Sequence, residues 1–525
     1  MEEITKTTAV QSGKVKQLTF LQTTDIHGQV LTHPEFFWEN NRPVFRNAGG
    51  MSRIATLFKQ VKKENPGNVL AVDCGDCFQG SAVAALSEGE ALIPIMNKIG
   101  YDVAIPGNWE VVYGPQQLMN LTKKYNYPII CSNMYWGDEG VSSGPSLFPP
   151  FFIKVVGGVR VGFIGYNDPY TKLRQAPSYH EGIQFSKPEA SIPKLVDILR
   201  NKHKCDIVMM LAHLGLAQQV HLAKQPQAAG IDFLFGGDTH ERTYEPIYGG
   251  LCPVVEAGSF GSFVGRLDLF VESGKIKDYN YELKIVEESL YPEDPAVKVT
   301  VQKERDPFRP VIERKLGETK KYLYRYSVLE TPMDNMITDA VKAAANVDIG
   351  ISNGFRFCPP IAPGPITLEH LYSMLPTIAN LKRGTVTGKQ LWDWMEQELE
   401  TVFSTDITKR VGGWVVRVSG MHVVMTINNP KGKRVQSITV NGEPIQMDKD
   451  YTVAACDREG EPLNIICRIK KVKNVEVLDI DNYKAVEIFL EKNPVIDYDI
   501  EGRVKATDAD GMVLSQLPGT TYGFR

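Results

Sequence analysis

The stretch that decides the fold is QLTFLQTTD, residues 17–25, in which a run of apolar and β-favouring side chains ends on an acidic residue. Further runs of the same kind follow, namely NVLAVDCGD, DVAIPGN, RVGFIGYND, DIVMMLAH and IDFLFGGD. Between QLTFLQTTD and NVLAVDCGD lies MSRIATLFKQVKKEN, in which Met51, Ile54, Phe58 and Val61 share one helical face. This alternation of buried strands and amphipathic helices predicts an α/β domain with helices packed on sheet faces.

The composition narrows the class of protein. A chain of 525 residues is long enough for two or three domains, and 43% hydrophobic with 23% charged residues is typical of a globular protein. A net charge of -4 supplies no basic field, so we expect no nucleic acid polymer as a partner. No apolar run approaches the roughly 18–20 residues of a membrane span, so we expect none.

The N-terminal segment and the cysteines bear on the compartment. MEEITKTTAVQSGKVKQ is polar and lacks the apolar core of a secretory signal, so the chain is cytoplasmic if complete and periplasmic if a leader was removed. The eight cysteines are scattered, and only Cys74 and Cys77 form a CxxC pair. A zinc site would require a second pair, so we interpret them as small buried apolar residues, which favours a reducing compartment.

The chain divides into three predicted parts. Residues 17–290 form the α/β domain, and residues 291–325, charged and helix-permissive between prolines, form an interdomain helix and linker. Residues 326–525 form a second domain, with helical stretches such as TPMDNMITDAVKAAAN and turn signals such as VNGEP.

Polar side chains follow five of the predicted strands. They are Asp25, His27, Asp76, Asn108, His213, Asp238 and His240. Sites in open α/β sheets assemble beyond the carboxyl ends of strands, so these side chains are expected to converge. Three carboxylates, three imidazoles and one amide oxygen suit two divalent ions, Mn²⁺ first and Zn²⁺ or Fe²⁺ as alternatives. The alternative for any one of them is a turn residue or a helix cap.

The motifs DIHG, CGDCFQG, GNWE, AHLG and GGDTHE resemble those of the calcineurin-like metallophosphatases, and the C-terminal half resembles the 5'-nucleotidase C-terminal domain. The resemblance implies a four-layered α/β/β/α sandwich followed by a smaller α+β domain. It also implies one ion on Asp25, His27 and His240, a second on Asn108, His213 and Asp238, and Asp76 bridging them. The family normally has His where Asp238 stands; a carboxylate adds negative charge and favours Mn²⁺ over Zn²⁺.

WEVVYG, SNGFRFCPPIAPGPIT, KRVGGWVVRVSGM and GKRV resemble a closer branch, the thiosulfohydrolase of the bacterial sulfur-oxidation (Sox) pathway. That resemblance implies a periplasmic dimanganese enzyme that releases sulfate from a cysteine-bound sulfur chain on a carrier protein. The partner is then a small anionic substrate or the arm of a sulfur-carrier protein. The insert HPEFFWENNRPVFRN is shorter than expected for this branch, so docking of a carrier arm stays open.

Trp109 takes the place of the histidine that nucleotidases carry after the metal-binding Asn. Such a histidine assists the leaving group, an effect worth about 10²–10⁴ in rate. A sugar alkoxide needs that help, whereas a thiol ionises near about pH 8.5 and leaves as an anion. Trp109 therefore favours a sulfur leaving group. The alternative is a packed aromatic residue in a degenerate enzyme.

Candidate substrate residues lie in the second domain. SNGFR supplies Asn353, Gly354, Phe355 and Arg356, and the forked guanidinium of Arg356 suits a sulfonate or phosphate. Its alternative is an ion-paired surface arginine. In AACDREGEPLNII, Asp457 and Arg458 stand where a nucleotidase has a glycine-rich run, and form either a polar cluster or a solvated turn.

Three hypotheses follow, with Asn108, Trp109 and Arg356 as catalytic candidates in the first. The leading one is a two-metal hydrolase in which hydroxide attacks a terminal sulfonate and a sulfur anion leaves. The second is a 5'-nucleotidase or broader phosphomonoesterase. The third is a domain pair that binds metal and ligand without turnover.

Overall fold

The structure is a computed structural model that describes residues 15–137, 144–410 and 413–509. Most of the polar N-terminal segment (1–14), two residues of the KRVGGWVVRVSGM stretch (411–412) and the end of the predicted second domain (510–525) lie outside the described residues.

The opening stretch forms a central strand of a five-stranded sheet. In spatial order the strands are Lys275–Ile285, Phe263–Glu272, Lys16–Thr23, Val69–Asp73 and Val103–Ala104. The last three of these run parallel to one another. Their carboxyl ends therefore lie at one edge of the sheet.

A second sheet has six strands. In spatial order they are Ile247–Tyr248, Pro253–Glu256, Phe233–Gly237, Ile207–His213, Val159–Tyr166 and Phe151–Val156. The strands Phe233–Gly237, Ile207–His213 and Val159–Tyr166 are parallel. Their nearly uninterrupted burial agrees with a sheet covered on both faces.

The two sheets pack face to face and are covered by helices. The ring of Phe20 in the first sheet lies 6.3 Å from Phe163 and 6.2 Å from Phe235 in the second. The outer face of the first sheet is covered by Met51–Glu64, Leu92–Ile99 and Pro295–Arg305, and that of the second by Ile192–Asp197 and Leu216–Ala223. This arrangement confirms the four-layered α/β/β/α sandwich.

Smaller elements complete the N-terminal domain. They are the strands Thr32–Glu39, Arg42–Gly49, Met134–Trp136 and Ile183–Phe185, the helices Ala82–Leu86, Gly114–Thr122, Thr171–Arg174 and Arg309–Ile312, the π-helical turn Ile198–Lys202, and the 3-10 turns Pro177–His180, Pro188–Ala190 and Pro226–Ala228. The first two strands form a hairpin from the insert after the DIH motif. Phe45 of this hairpin stacks on Tyr322, with ring centroids 3.8 Å apart, so the hairpin packs against the start of the C-terminal domain.

The C-terminal domain is α+β. Its five-stranded sheet runs Trp414–Ser419, Ile349–Gly354, Asp450–Cys456, Asn380–Thr387 and Lys473–Asp481 in spatial order. The other strands are Gly364–Thr367, Lys315–Thr319 and Val495–Ile496 in one sheet, Glu443–Pro444, Val435–Val440, Met421–Met425 and Val504–Ala506 in another, and the pair Ile465–Ile466 and Ile469–Lys470. The helices are Pro332–Ala345, Leu368–Met374, Gly388–Phe403, Asn482–Lys492 and the 3-10 turn Ile407–Lys409. Strand Lys315–Thr319, inside the segment expected to be a linker, is therefore part of a C-terminal sheet.

A buried charge cluster lies in the C-terminal domain near the domain junction. The carboxylate of Asp334 lies 2.7 Å from Arg325 Nη2 and 3.0 Å from Arg417 Nε, and all three side chains are almost fully buried. Arg417 also donates to the carbonyl oxygens of Ser327 and Val328. Because both buried arginines pair with the same carboxylate, the cluster holds the first residues of this domain against the strand that carries Arg417.

None of the helices in the described part of the chain has the length and apolar character to cross a bilayer.

Candidate metal centre

The predicted ligands gather at the carboxyl edge shared by the two sheets. Asp25 and His27 follow the strand Lys16–Thr23, Asp76 follows Val69–Asp73, and Asn108 follows Val103–Ala104. His213 is the last residue of its strand, and Asp238 and His240 follow Phe233–Gly237. The side chains of all these residues are buried or nearly so.

Backbone strain is concentrated at this edge. The φ angles of Asp25, His27, Asp76, Asp238 and His240 are 51°, 50°, 62°, 93° and 58°. Positive φ is uncommon for residues other than glycine and costs of order 1–3 kcal/mol at each position. Strained conformations clustered in one place are typical of functional sites.

The first cluster of candidate ligands is Asp25, His27 and His240, whose ligand atoms all lie within 4.8 Å of one another. Asp25 Oδ1 lies 3.4 Å from His240 Nε2 and 3.8 Å from His27 Nε2. The two imidazole Nε2 atoms are 2.9 Å apart.

The second cluster is Asp25, Asp76 and His213. His213 Nε2 lies 3.1 Å from Asp76 Oδ2 and 3.9 Å from Asp25 Oδ1. Asp76 Oδ2 also lies 3.8 Å from His27 Nε2, so Asp76 stands between the two clusters.

Hydrogen bonds on the far side of two imidazoles orient them toward the centre. His27 Nδ1 lies 2.7 Å from the carbonyl oxygen of Gln79, and His213 Nδ1 lies 2.7 Å from that of Cys74. A carbonyl oxygen can only accept a hydrogen bond, so each Nδ1 carries the proton and donates, which leaves the Nε2 lone pair facing inward. Lone pairs and carboxylates turned toward one buried point repel one another unless a cation lies between them. The donor set thus fits divalent metal ions.

The pKa values reflect the same crowding. Burial would raise the pKa of Asp25, but the imidazoles of His213, His240 and His27 outweigh it and hold the pKa below its ordinary value. Burial lowers the pKa of His27 to about 4, so this imidazole is neutral at physiological pH, as a ligand must be.

Glu110, the acidic residue of GNWE, ties together the two loops that carry Asp76 and Asn108. Its carboxylate accepts hydrogen bonds from the backbone N–H groups of Asp76 (2.9 Å), Cys77 (2.5 Å) and Gly107 (2.5 Å). Burial and the nearby Asp76 carboxylate raise its pKa to about 8. Glu110 therefore shapes the centre without facing it.

Asp238 and Asn108 are engaged by protein groups. Asp238 Oδ1 accepts from Asn108 Nδ2 and from Arg174 Nη1, each at 2.6 Å, and lies 3.9 Å from His213 Nε2. Asn108 Oδ1 accepts from Gln175 Nε2 at 3.3 Å. In the part of the chain that the structure describes, Asp238 belongs to neither carboxylate–imidazole cluster. Its assignment as a ligand stays a prediction.

Trp109 lies beside the centre, half-buried. Its backbone N–H donates to Asp76 Oδ1 at 2.8 Å, and its ring meets that of Phe357 edge-on with centroids 5.1 Å apart. Phe357, from the C-terminal domain, also lies 4.4 Å from the ring of His27. An aromatic pair thus borders the centre where the two domains meet.

The SNGFR residues adjoin this border. The guanidinium of Arg356 lies 4.9 Å from the centre of the Trp414 ring, and its buried Nε has no hydrogen-bond partner. Asn353 Oδ1 accepts from Arg468 Nη1 at 3.0 Å. A Cβ on Gly354 would lie 2.5 Å from the carbonyl oxygen of Val415, so that glycine serves strand packing.

Phe355 meets Phe357 edge-on, with ring centroids 6.1 Å apart and planes at 88°. These two rings do not form a parallel pair that would enclose a flat base. Phe357 is buried.

The predicted polar cluster of Asp457 and Arg458, together with the neighbouring Glu459, makes protein contacts. Asp457 Oδ1 lies 2.5 Å from Nζ of the buried Lys382. Arg458 donates to the carbonyl oxygen of Leu173, and Glu459 accepts from the N–H and hydroxyl of Ser178. The turn therefore bridges the two domains, and the roles of Asp457 and Arg458 toward a substrate stay predictions.

Several site residues were missed by the sequence analysis. Asp168, next to Arg174, follows the strand Val159–Tyr166, so the strand-end pattern that found the other carboxylates would have found it. Arg174 and Gln175 carry no such signal, because their positions depend on packing between distant segments.

Cys74 and Cys77 are buried free thiols, and burial with the nearby Asp73 raises both pKa values well above the ordinary value. Cys77 Sγ donates to Asp73 Oδ1 at 3.3 Å. The pair is therefore suited to packing, in line with the sequence interpretation.

Comparison with known families adds to this geometry. Residues 18–242 match the model of the calcineurin-like phosphoesterases, and residues 315–457 match that of the 5'-nucleotidase C-terminal domain. The chain consists of a calcineurin-like phosphoesterase domain followed by a 5'-nucleotidase C-terminal domain. Calcineurin-like phosphoesterases use a dinuclear divalent metal centre, and the homologues indicate a hydrolase that acts on ester bonds.

The relatives include the 5'-nucleotidase of Bos taurus, 28% identical over 83% of this chain and 82% of its own length. The endonuclease YhcR of Bacillus subtilis is 26% identical over 94% of this chain, which spans 41% of that larger protein. Among solved structures, the sulfate thiohydrolase SoxB of Thermus thermophilus superposes with a TM-score of 0.83 at 24% identity, covering 96% of this chain and 98% of that one. At that identity the likeness shows the shared fold.

Proposed function

We propose that this phosphoesterase-type hydrolase releases sulfate from a thiosulfonate-type substrate, with a sulfur anion as the leaving group. The observation that carries the proposal is the place of Trp109, whose backbone N–H donates to Asp76 while its ring packs on Phe357. An indole N–H does not ionise at physiological pH, so this position supplies no proton to a departing oxygen.

The ligands are Asp25, His27, His240, Asp76 and His213, with Asn108 and Asp238 beside them. Two divalent ions held there, with Mn²⁺ favoured by the oxygen-rich set, supply a nucleophile and neutralise charge on the transferred group.

The protein's own groups position the substrate. Arg356 offers a guanidinium whose Nε has no protein partner, which suits it to a tetrahedral oxoanion. Phe357 lies against His27, and Trp109 packs on Phe357, so this aromatic pair forms one side of the proposed substrate site. A thiol has an ordinary pKa near about 8.5, so its sulfur can leave as an anion without general acid help, whereas a sugar alkoxide cannot.

A second candidate is a 5'-nucleotidase or phosphomonoesterase. It is favoured by the 28% identity to the bovine 5'-nucleotidase, which extends over most of both chains. In that case water or a residue outside GNWE protonates the leaving oxygen.

The test is a paired assay on the Mn²⁺-loaded protein: sulfate release from S-sulfonated thiols and phosphate release from nucleoside monophosphates. We expect sulfate release to dominate. Release of phosphate alone would favour the second candidate instead, and the absence of both products would refute both candidates.

The Trp109→His variant tests the reason behind the proposal. It restores a titratable group, so phosphomonoester hydrolysis should rise at least about tenfold, toward the range of about 10²–10⁴ typical of general acid catalysis. Trp109→Phe is the matched control, since it keeps an aromatic ring and adds no proton. An equal effect of both substitutions, in folded and metal-loaded variants, would refute the leaving-group argument.

A further inference from the structure

The Asp238 carboxylate stands where the resemblance places a histidine, and this chain gives it a charged partner. Arg174 Nη1 lies 2.6 Å from Asp238 Oδ1 and 3.1 Å from Asp168 Oδ2. A neutral imidazole needs no such partner, whereas a buried carboxylate does. The negative charge that Asp238 adds in place of the family's histidine is thus paired with the positive charge of Arg174.

This arginine belongs to a built cluster. The side chain of Asp168 is fully buried, and that carboxylate also accepts from the backbone N–H of Tyr170 at 2.8 Å. The side chains of Arg174 and Asp238 are 18% and 7% exposed. Burial would lower the pKa of Arg174, but the carboxylates of Asp168 and Asp238 outweigh it and keep the guanidinium charged.

The two halves of the metal centre therefore differ. Asp25, His27 and His240 turn their ligand atoms toward one another. On the other side, Asp238 Oδ1 already accepts two hydrogen bonds at 2.6 Å, one of them from a guanidinium. A divalent ion bound there has to compete with Arg174 for the same oxygen and withstand its charge.

We propose that Arg174 is a positioning residue that sets the affinity of the second metal subsite, so that the chain binds one ion tightly and the second at least about tenfold more weakly. This inference rests on the proposed metal centre and is independent of which anion is hydrolysed. A tenfold difference corresponds to about 1.4 kcal/mol, which is within reach of one competing charge-assisted hydrogen bond.

The test measures Mn²⁺ binding to the full chain, by free Mn²⁺ in electron paramagnetic resonance titrations and by metal content after gel filtration. In the unaltered protein we expect one tight ion and a second weak one. Arg174→Met removes the competing cation, and Asp238→His restores the ligand expected from the family. Each should tighten the second ion at least about tenfold and make the spin-coupled signal of a manganese pair emerge at lower added Mn²⁺.

Lys172→Met is the matched control. Lys172 lies on the same helix, Thr171–Arg174, and its Nζ donates to Gln184 Oε1 away from the centre. The same loss of charge there should leave both affinities within about twofold. An equal tightening in this control would reduce the Arg174 effect to general electrostatics and overturn the inference.

Three further outcomes would also overturn it. Two ions of equal affinity in the unaltered protein would remove the competition while leaving the proposed centre intact. Loss of the second ion in a folded Arg174→Met variant would make the arginine a support for that subsite instead of a competitor. Absence of any tight ion in the unaltered protein would refute the metal centre itself, and with it this inference.

Discussion

Gly80→Ala is the substitution whose effect on the centre follows most directly from the geometry. A Cβ at Gly80 would lie 2.7 Å from His27 Cβ, 2.9 Å from the His27 carbonyl oxygen and 3.2 Å from Phe357 Cε1. The distances to His27 Cβ and to the His27 carbonyl oxygen are shorter than real Cβ atoms show, and the second of these contacts is with the backbone. The loop that carries His27 must therefore move.

The expected loss in the free energy of unfolding has two parts. Gly80 has φ +124°, and a side chain in such a conformation costs about 1–3 kcal/mol. Overpacking adds about 1–3 kcal/mol. A substitution at Gly67 measures the backbone strain separately from the crowding, because Gly67 has φ +75° and nothing lies within 4 Å of its added Cβ. Gly67→Ala therefore carries the backbone strain without the crowding.

The assay is thermal unfolding of both variants together with Mn²⁺ titration. Taking about 2 kcal/mol for the crowding and roughly 2–4 °C for each kcal/mol, Gly80→Ala should melt about 4–8 °C below Gly67→Ala. It should also bind its first ion at least about tenfold more weakly, because His27 is displaced. Equal melting temperatures and equal affinities in the two variants would show that Gly80 does not hold the His27 loop, and would refute the reasoning.

Two other predictions concern buried charges. Asp334→Asn leaves two buried arginines without their carboxylate, so we expect a loss of about 3–5 kcal/mol in the free energy of unfolding, measured by urea denaturation; a loss below about 1 kcal/mol would contradict the cluster's role. Burial raises the pKa of Asp73 from 3.8 to about 6, so the stability it contributes is fully present below pH 3.8 and is lost as the pH rises through 6. The Asp73→Asn variant should therefore become more stable relative to the unaltered protein as the pH rises from 4 to 7, by up to about 3 kcal/mol in the free energy of unfolding. A stability difference that does not change with pH would contradict this prediction.

The residue pattern by itself predicted the alternation of strands and helices and the edge at which the site forms, whereas the four layers were implied by the family resemblance. Buried runs such as residues 17–25 and 206–213 specify parallel strands through local hydrophobic pattern, and parallel strands bring their carboxyl ends to one edge. Asp25, Asp76 and His213 follow from that rule because each stands at a strand end, a local property of the chain. The structure brings all three within one cluster.

The tertiary structure alone decided which groups surround those ligands. The pairing of Arg174 with Asp238 joins residues 64 positions apart, and the contact of Phe357 with His27 joins the two domains. Neither contact has a periodic or motif signal, because each depends on how separate loops pack. The sequence therefore determined where the candidate metal centre lies, and the packing of distant segments determined that the Asp238 carboxylate beside it is paired with a guanidinium.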